Sequence, residues 1–190
     1  MRFKRLSFVA LALSLVLAAA ASPFAPANAA TSGTRVKIVT QFGEIVVVLS
    51  DKQAPVTTAN FLHYVDTKFY DGGSFFRSVP GFVIQGGNRP RENDATDTRI
   101  RLESPALTRV KNTDGAISMA RTTDPNSATS EFFICDGDQP FLDGSGTNPG
   151  YAAFGHVVSG MDVVRKIARL PAQQQMLLTP VAIVKIERVR

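Results

Sequence analysis

The stretch Phe75–Gly87, reading FFRSVPGFVIQGG, constrains this chain more than any other. A short apolar run lies on each side of Pro80-Gly81, so the stretch reads as two strands joined by a turn. Each strand carries one long polar side chain among apolar neighbours, Arg77 in the first and Gln85 in the second. Strand alternation puts Phe82 and Ile84 on one face and Val83 and Gln85 on the other. An edge strand with Arg77 in water and Gln85 at a strand end accounts equally well for these thirteen residues, because Arg and Gln are mostly exposed.

The rest of the chain repeats the theme of short strands and turns. Val36, Ile38 and Thr40 alternate with Lys37, Val39 and Gln41, Phe42-Gly43 turns the chain, and Glu44–Leu49 is rich in β-branched residues. This is the pattern of an antiparallel hairpin. Pro55 opens a helix, where its missing N–H costs nothing. Phe61, Leu62, Val65 and Phe69 recur three or four apart and give that helix a core-facing stripe. Its His63 reads as a packing or surface residue. Asp71-Gly72-Gly73 then turns the chain into the central stretch. Asn88–Asn112 is long for a structureless loop, and its Glu92, Asp94 and Asp97 lack the spacing of a calcium loop.

Ala116–Ala120 is a short strand, Arg121–Thr129 a loop, and Glu131–Cys135 a nearly continuous apolar strand. Asp143–Gly150 has turn composition, and Tyr151–Val158 is a further strand. Met161, Val164, Ile167 and Ala168 mark a second helix, with Lys166 and Arg169 favouring its C-terminal end. Pro171–Thr179 reads as a link to a last strand, Val181–Val189. The count is seven or eight strands and two helices, joined by antiparallel-type turns. A closed or nearly closed barrel suits such a set, because closure removes sheet edges.

The first twenty-nine residues stand apart. Arg2, Lys4 and Arg5 precede an apolar run from Leu6 to Ala21, and Ala27-Asn28-Ala29 is a small-x-small cleavage site. Residues 1–29 are therefore expected to be a secretory leader, with a domain over 30–190. The run is short for a membrane span of about 20 residues, and Pro23 and Pro26 follow it, so no membrane attachment is expected after cleavage. Removing three basic residues from the 21 in the chain leaves 18 against 16 acidic ones, a net charge of +2. No basic cluster for nucleic acid survives. A lone Cys135 allows no internal disulfide. About 160 residues form one core large enough to stand without staples, and a monomer is expected.

Most catalytic chemistries lack their residues. There is no Gly-x-Ser-x-Gly, and His63 and His156 neighbour no nucleophile in sequence. Cys135 lies in an apolar strand and reads as an inert thiol. No spacing of His, Cys or carboxylates matches a metal site, and Gly86-Gly87 precedes no helix pattern that would cradle phosphate.

Three blocks resemble the cyclophilin-type peptidyl-prolyl isomerases. Phe75–Gly87 resembles the family's Phe-His-Arg, Pro-Gly-Phe and Gln-Gly-Gly signature, with Phe76 where the family usually has His. Ser118-Met119-Ala120-Arg121 through Ser130-Glu131-Phe132-Phe133-Ile134 resembles Ser-Met-Ala-Asn and Ser-Gln-Phe-Phe-Ile. Phe141-Leu142-Asp143-Gly144 with Phe154-Gly155 resembles Trp-Leu-Asp-Gly and Phe-Gly. The blocks occur in the family's order and cover most of the chain after residue 34.

The resemblance implies a mainly β fold, a closed eight-stranded antiparallel barrel with a helix capping each end. It also implies prolyl isomerisation, a reaction with no covalent step and no cofactor. Arg77 would stabilise the twisted amide, Gln85 would orient Arg77 and bind substrate backbone, and Phe82, Val83, Phe133 and Leu142 would form the proline pocket. Ala120 and Arg121 would line the peptide groove, and Phe141 and Tyr151 would stand at its rim, where the family usually has Trp and His. Phe132 would be core and Phe133 pocket, a choice alternation alone leaves open. Glu131, at the substrate groove, replaces a usual Gln and Arg121 a usual Asn; the carboxylate could pair with Arg77 or with Arg121, and Arg121 is the expected partner. Implied partners are proline-containing segments of exported proteins, in a periplasm or outside the cell, and cyclosporin-type ligands only weakly. The competing reading is a chaperone or binding module for such segments without catalysis. A barrel holding a small apolar ligand inside is disfavoured, since small barrels are often filled by side chains.

Overall fold

The computed structural model describes residues 33–87 and 98–189. The leader assigned to 1–29 lies outside the described residues, as do Glu92, Asp94 and Asp97. The elements in chain order are β1 (Arg35–Thr40), β2 (Gly43–Leu49), α1 (Pro55–Asp66), β3 (Ser74–Val79), β4 (Val83–Gly87), α2 (Pro105–Thr108), β5 (Ala116–Met119), β6 (Phe132–Cys135), a 3₁₀ turn (Pro140–Asp143), β7 (Ala153–Ser159), α3 (Met161–Ala168), β8 (Ala172–Gln173) and β9 (Met176–Arg188).

Eight strands follow one another in the order β1-β2-β7-β5-β6-β4-β3-β9, and β9 pairs back onto β1. Every pairing is antiparallel, so the sheet closes as the alternating runs anticipate. The ninth strand, β8, has two residues and pairs with β9 alone. The segment read as a link, Pro171–Thr179, is therefore a hairpin. Its turn carries Gln174 and Gln175, both with positive φ, where sequence offers no Gly or Asn to announce it. A third helix, α2, also appears inside the segment read as loop; Ser104 Oγ caps it and Pro105 starts it.

The barrel is filled. Ile38, Ile45, Phe75, Ile84, Ile117, Phe132, Ile134, Phe154 and Ile183 all point inward and have no exposed surface. The Phe132 ring meets Phe61, Tyr70 and Phe75 edge-on at 5.5, 5.5 and 5.8 Å between centroids. A core ring in such a place is worth about 3–5 kcal/mol against Ala. The two longer helices close opposite ends. Ser78 Oγ donates to the Ala168 carbonyl at 2.8 Å, and Lys166 lies over the Phe42 ring, which fixes α3 beside the β1–β2 and β3–β4 turns. Asn60 of α1 donates to the Thr129 carbonyl at 2.7 Å, and Tyr70 just beyond the helix donates to the Ser130 carbonyl at the same distance, both where β6 begins. The N-cap residue of α1, Ala54, has no side chain that can cap the helix. The Glu103 carboxylate does so from the far loop, accepting from the Val56 and Thr57 N–H groups at 3.1 and 2.8 Å.

Candidate active site

The side chains that the closed barrel leaves outside collect on one face, where β3, β4, β5 and β6 adjoin. Strict alternation does this on β4 and β6. Ile84, Phe132 and Ile134 go inward, while Val83, Gln85, Phe133 and Cys135 go outward. On β3 alternation alone would send Arg77 the same way as the buried Phe75. Instead Phe75 pairs with Gly86 and Arg77 with Gln85, so Phe76 is an extra, bulged residue. A bulge re-aims the side chains after it. It brings Arg77 to the outer face, directly across from Gln85. Gly86 permits the close approach there, since a Cβ would lie 2.7 Å from the Phe75 ring.

The resulting pocket has a volume of about 200 Å³ and is lined by Arg77, Phe82, Val83, Gln85, Ala120, Arg121, Phe133, Leu142 and Tyr151. Pockets that enclose drug-sized ligands run from about 300 to 1,000 Å³, so this one suits a single small ring. Its floor is a second apolar cluster, separate from the barrel core, built from Val83, Ala116, Phe133, Cys135 and Leu142 with Phe82, Ala120 and Tyr151 packed against it. A larger depression of about 840 Å³ lies beside α1 and the end of β9, and two ion pairs in its lining, Asp66 with Arg188 and Lys185 with Glu187, occupy those charges with one another.

An arc of polar groups borders the floor. Arg77 Nη1 donates to Gln85 Oε1 at 3.2 Å, and its Nε and Nη2 both donate to Gln175 Oε1, at 2.9 and 2.6 Å. Among the described residues three of the five guanidinium N–H groups are thus engaged, all by neutral amides, and two remain for a ligand. The guanidinium also stands 5.8 Å from the Phe82 ring centroid. Gln85 Nε2 in turn donates to Glu131 Oε2 at 2.9 Å.

Opposite this arc, Arg121 Nε and Nη2 donate to the Gly150 carbonyl at 3.1 and 2.8 Å, and its Nη1 to the Thr122 carbonyl at 2.8 Å. Its guanidinium covers the Tyr151 ring at 4.3 Å. Gly150 has a φ of 77°, and a Cβ there would sit 2.7 Å from the Asp143 backbone, so the carbonyl that receives Arg121 depends on glycine.

Two expectations change, the partner of Glu131 and the face of Phe82. Glu131 bonds to Gln85 rather than Arg121, because Arg121 is turned away onto Gly150 and Tyr151. Phe82 precedes β4 in the turn and packs with Val83, not on the Ile84 face, since alternation starts only where the strand does. Phe141 stands outside the pocket lining, 60% exposed on the 3₁₀ turn, with its ring 5.5 Å from Phe82. The Ala120 N–H is engaged by the Glu131 carbonyl at 2.9 Å, within the sheet extension. Gln175 had no sequence signal: its contact depends on a turn between two non-glycine residues of positive φ.

His63 and His156 are exposed and line no part of the pocket. Burial pushes the Cys135 thiol up to about 12, with smaller effects from Asp114, Asp143 and Asp138. Among the described residues no group of three or more His, Cys, Asp or Glu is placed to hold a metal ion.

Comparison with known proteins places this geometry in context. Residues 35–189 match the family described as cyclophilin type peptidyl-prolyl cis-trans isomerase/CLD. A peptidyl-prolyl cis-trans isomerase A of Dickeya dadantii is 43% identical over 150 residues, which is 79% of each chain. A peptidyl-prolyl cis-trans isomerase B of Escherichia coli is 43% identical over 131 residues, 67% of this chain and 80% of that one. Among solved structures, a cyclophilin type peptidyl-prolyl cis-trans isomerase of Cryptosporidium parvum superposes with a TM-score of 0.71 at 25% identity, covering 83% of this chain and 98% of that one. A second structure of that protein, determined in the presence of the dipeptide Ala-Pro, also gives 0.71, at 26% identity over 82% and 99%.

Proposed function

The chain belongs to the cyclophilin-type peptidyl-prolyl cis-trans isomerase family, and from that premise we propose that it accelerates rotation about X-Pro bonds in exported polypeptides, with Arg77 as the group that stabilises the twisted amide. The bond resists rotation because amide resonance sets a barrier of about 20 kcal/mol. At mid-rotation the proline nitrogen loses conjugation and regains a basic lone pair. A donor fixed near that nitrogen favours the twisted form over either planar one, which is the requirement for catalysis.

The observation that carries the reading is the pair of unengaged N–H groups on Arg77, held at the edge of a small apolar floor. Phe133, Leu142, Phe82 and Val83 would take the proline ring, and the guanidinium would meet its nitrogen. Arginine suits the task because it stays charged and offers its donors in a rigid plane. Gln85 holds that plane from one side through Oε1. Ala120, Arg121 and Tyr151 would line the path of the peptide main chain.

The basic residues Arg2, Lys4 and Arg5, the apolar run and the Ala27-Asn28-Ala29 site support export to a periplasm or the cell exterior, with Ala30 as the mature N-terminus. N-terminal sequencing of the exported protein tests this.

A proline-peptide isomerisation assay tests the activity and the role of Arg77 together. Arg77→Ala is expected to lower kcat/KM by about two to three orders of magnitude, the usual consequence of removing one preorganised donor. Retention of activity within threefold at equal thermal stability would overturn the assignment of Arg77.

A further inference from the structure

We infer that Gln175, at the tip of the β8–β9 hairpin, is a positioning residue that fixes the plane of the Arg77 guanidinium. The inference rests on the proposed role of Arg77 and adds a group that its own strand cannot supply.

Three observations carry it. First, a single oxygen, Gln175 Oε1, accepts from both Arg77 Nε and Nη2, at 2.9 and 2.6 Å. Both bonds are shorter than the 3.2 Å contact with Gln85. Two contacts from one side and one from the other define a plane, whereas Gln85 alone leaves the guanidinium free to swing. Second, the hairpin backbone is anchored to the strand that carries Arg77. The Gln175 carbonyl accepts from the Ser78 N–H at 2.8 Å, and Arg77 is registered opposite Met176.

Third, the turn is built from the wrong residues for its shape. Gln174 and Gln175 have φ of 50° and 69°, the left-handed region in which glycine or asparagine is usual. A turn serving only to reverse the chain has no use for glutamine at either place. At position 175 the side chain has a partner, and the partner is Arg77. A neutral acceptor also suits the purpose, since it orients the guanidinium and leaves its positive charge unpaired for the amide nitrogen. A carboxylate would compete for that charge.

The test replaces each turn residue by glycine, which fits the left-handed conformation. Gln175→Gly is expected to keep or raise Tm while lowering kcat by about tenfold, with KM within twofold, as misplacement of a reacting group does. Gln174→Gly is expected to raise Tm and keep both constants. A second readout needs no turnover: exchange of the Arg77 Nε–H, followed by NMR, is expected to quicken in Gln175→Gly and not in Gln174→Gly.

A Gln175→Gly protein with kcat within twofold of the parent overturns the inference, as does unchanged Arg77 Nε–H exchange. If the unsubstituted protein shows no isomerase activity, the proposed function of Arg77 fails. The exchange measurement then decides alone whether Gln175 holds the side chain.

Discussion

Glu131 Oε2 accepts from Gln85 Nε2 at 2.9 Å, and that contact dictates which way the Gln85 amide faces. A carboxylate can only accept and a guanidinium can only donate. With Glu131 on one side and Arg77 on the other, the NH₂ must point to Glu131 and the Oε1 to Arg77. The relay Glu131–Gln85–Arg77 therefore has one consistent direction, and Glu131 acts on the guanidinium without touching it.

This relay sets what substitutions at 131 should do. Glu131→Gln keeps an acceptor facing Gln85, so kcat/KM is expected to stay within about threefold, the loss of part of one charge-assisted hydrogen bond at a half-exposed site. Glu131→Lys can only donate. It reverses the Gln85 amide, turns its NH₂ toward Arg77, and is expected to lower kcat/KM by at least about tenfold. Steady-state kinetics on one proline peptide, at matched Tm, compare the two. A tenfold loss in Glu131→Gln would mean that the charge, not the orientation, is what counts.

Much of the barrel was legible because its strands alternate cleanly. Phe132 and Phe133 are chemically alike, and only the closure of the sheet sends the first inward and the second to the pocket. Pro80-Gly81 announced its turn, but periodicity misplaced Phe82, which lies before the strand and escapes its alternation. The bulge at Phe76 left no mark, since any residue can be the extra one. Gln174-Gln175 was illegible for a stronger reason: local preference argues against a left-handed turn there, and the β3–β9 pairing overrides it. Ser104-Pro105 did carry a helix-start signal, hidden in a segment too polar to look helical. The Glu131 partner is not legible in the sequence, because nothing there reveals that Arg121 is already held by Gly150 and Tyr151.

Cys135 ties the pocket floor to alkaline stability. Burial holds its thiol neutral up to about 12, from an ordinary value of 9.0. Below the ordinary value both folded and unfolded chains keep the proton, so the thiol contributes no pH dependence. Between 9.0 and about 12 the unfolded chain loses the proton and the folded chain does not. Stability therefore falls as pH rises, by up to about 1.4 kcal/mol per unit. Urea midpoints measured from pH 8 to 11 are expected to decline more steeply for the parent than for Cys135→Ala. Parallel slopes would show that the thiol ionises in place. Native-state alkylation at pH 8 is likewise expected to wait on unfolding.

Arg121 offers a fixed charge beside the groove. Its hydrogen bonds go to carbonyls, its face lies on Tyr151, and among the described residues it forms no ion pair. Peptides with Glu within two residues of proline are expected to turn over about two- to fivefold faster than those with Lys, the range for a partly exposed charge contact. The preference should shrink in high salt and vanish in Arg121→Asn. Equal turnover of the two peptides by the parent protein would rule out a selective role for this guanidinium.

Phe141 is expected to govern inhibitor binding more than turnover. It is 60% exposed, its ring is tilted by 30° against Phe82 at 5.5 Å, and it stays outside the pocket lining, so a substrate proline would reach the floor without disturbing it. A bulky cyclosporin-type ligand would extend over the rim and cover the ring. Where a Trp at this place would donate its indole N–H to a ligand carbonyl, Phe has no donor. An acceptor buried without its partner costs about 1–3 kcal/mol, or about ten- to a hundredfold in affinity. Weak inhibition of the parent is therefore expected. Phe141→Trp should tighten binding by at least about tenfold and leave kcat/KM nearly unchanged, because the change lies at the rim and not beside Arg77. The chain has no Trp, so the introduced indole would report binding by its own fluorescence. Nanomolar inhibition of the unsubstituted protein would show that the rim donor is dispensable, and a large loss of turnover in Phe141→Trp would show that the rim belongs to the substrate path after all.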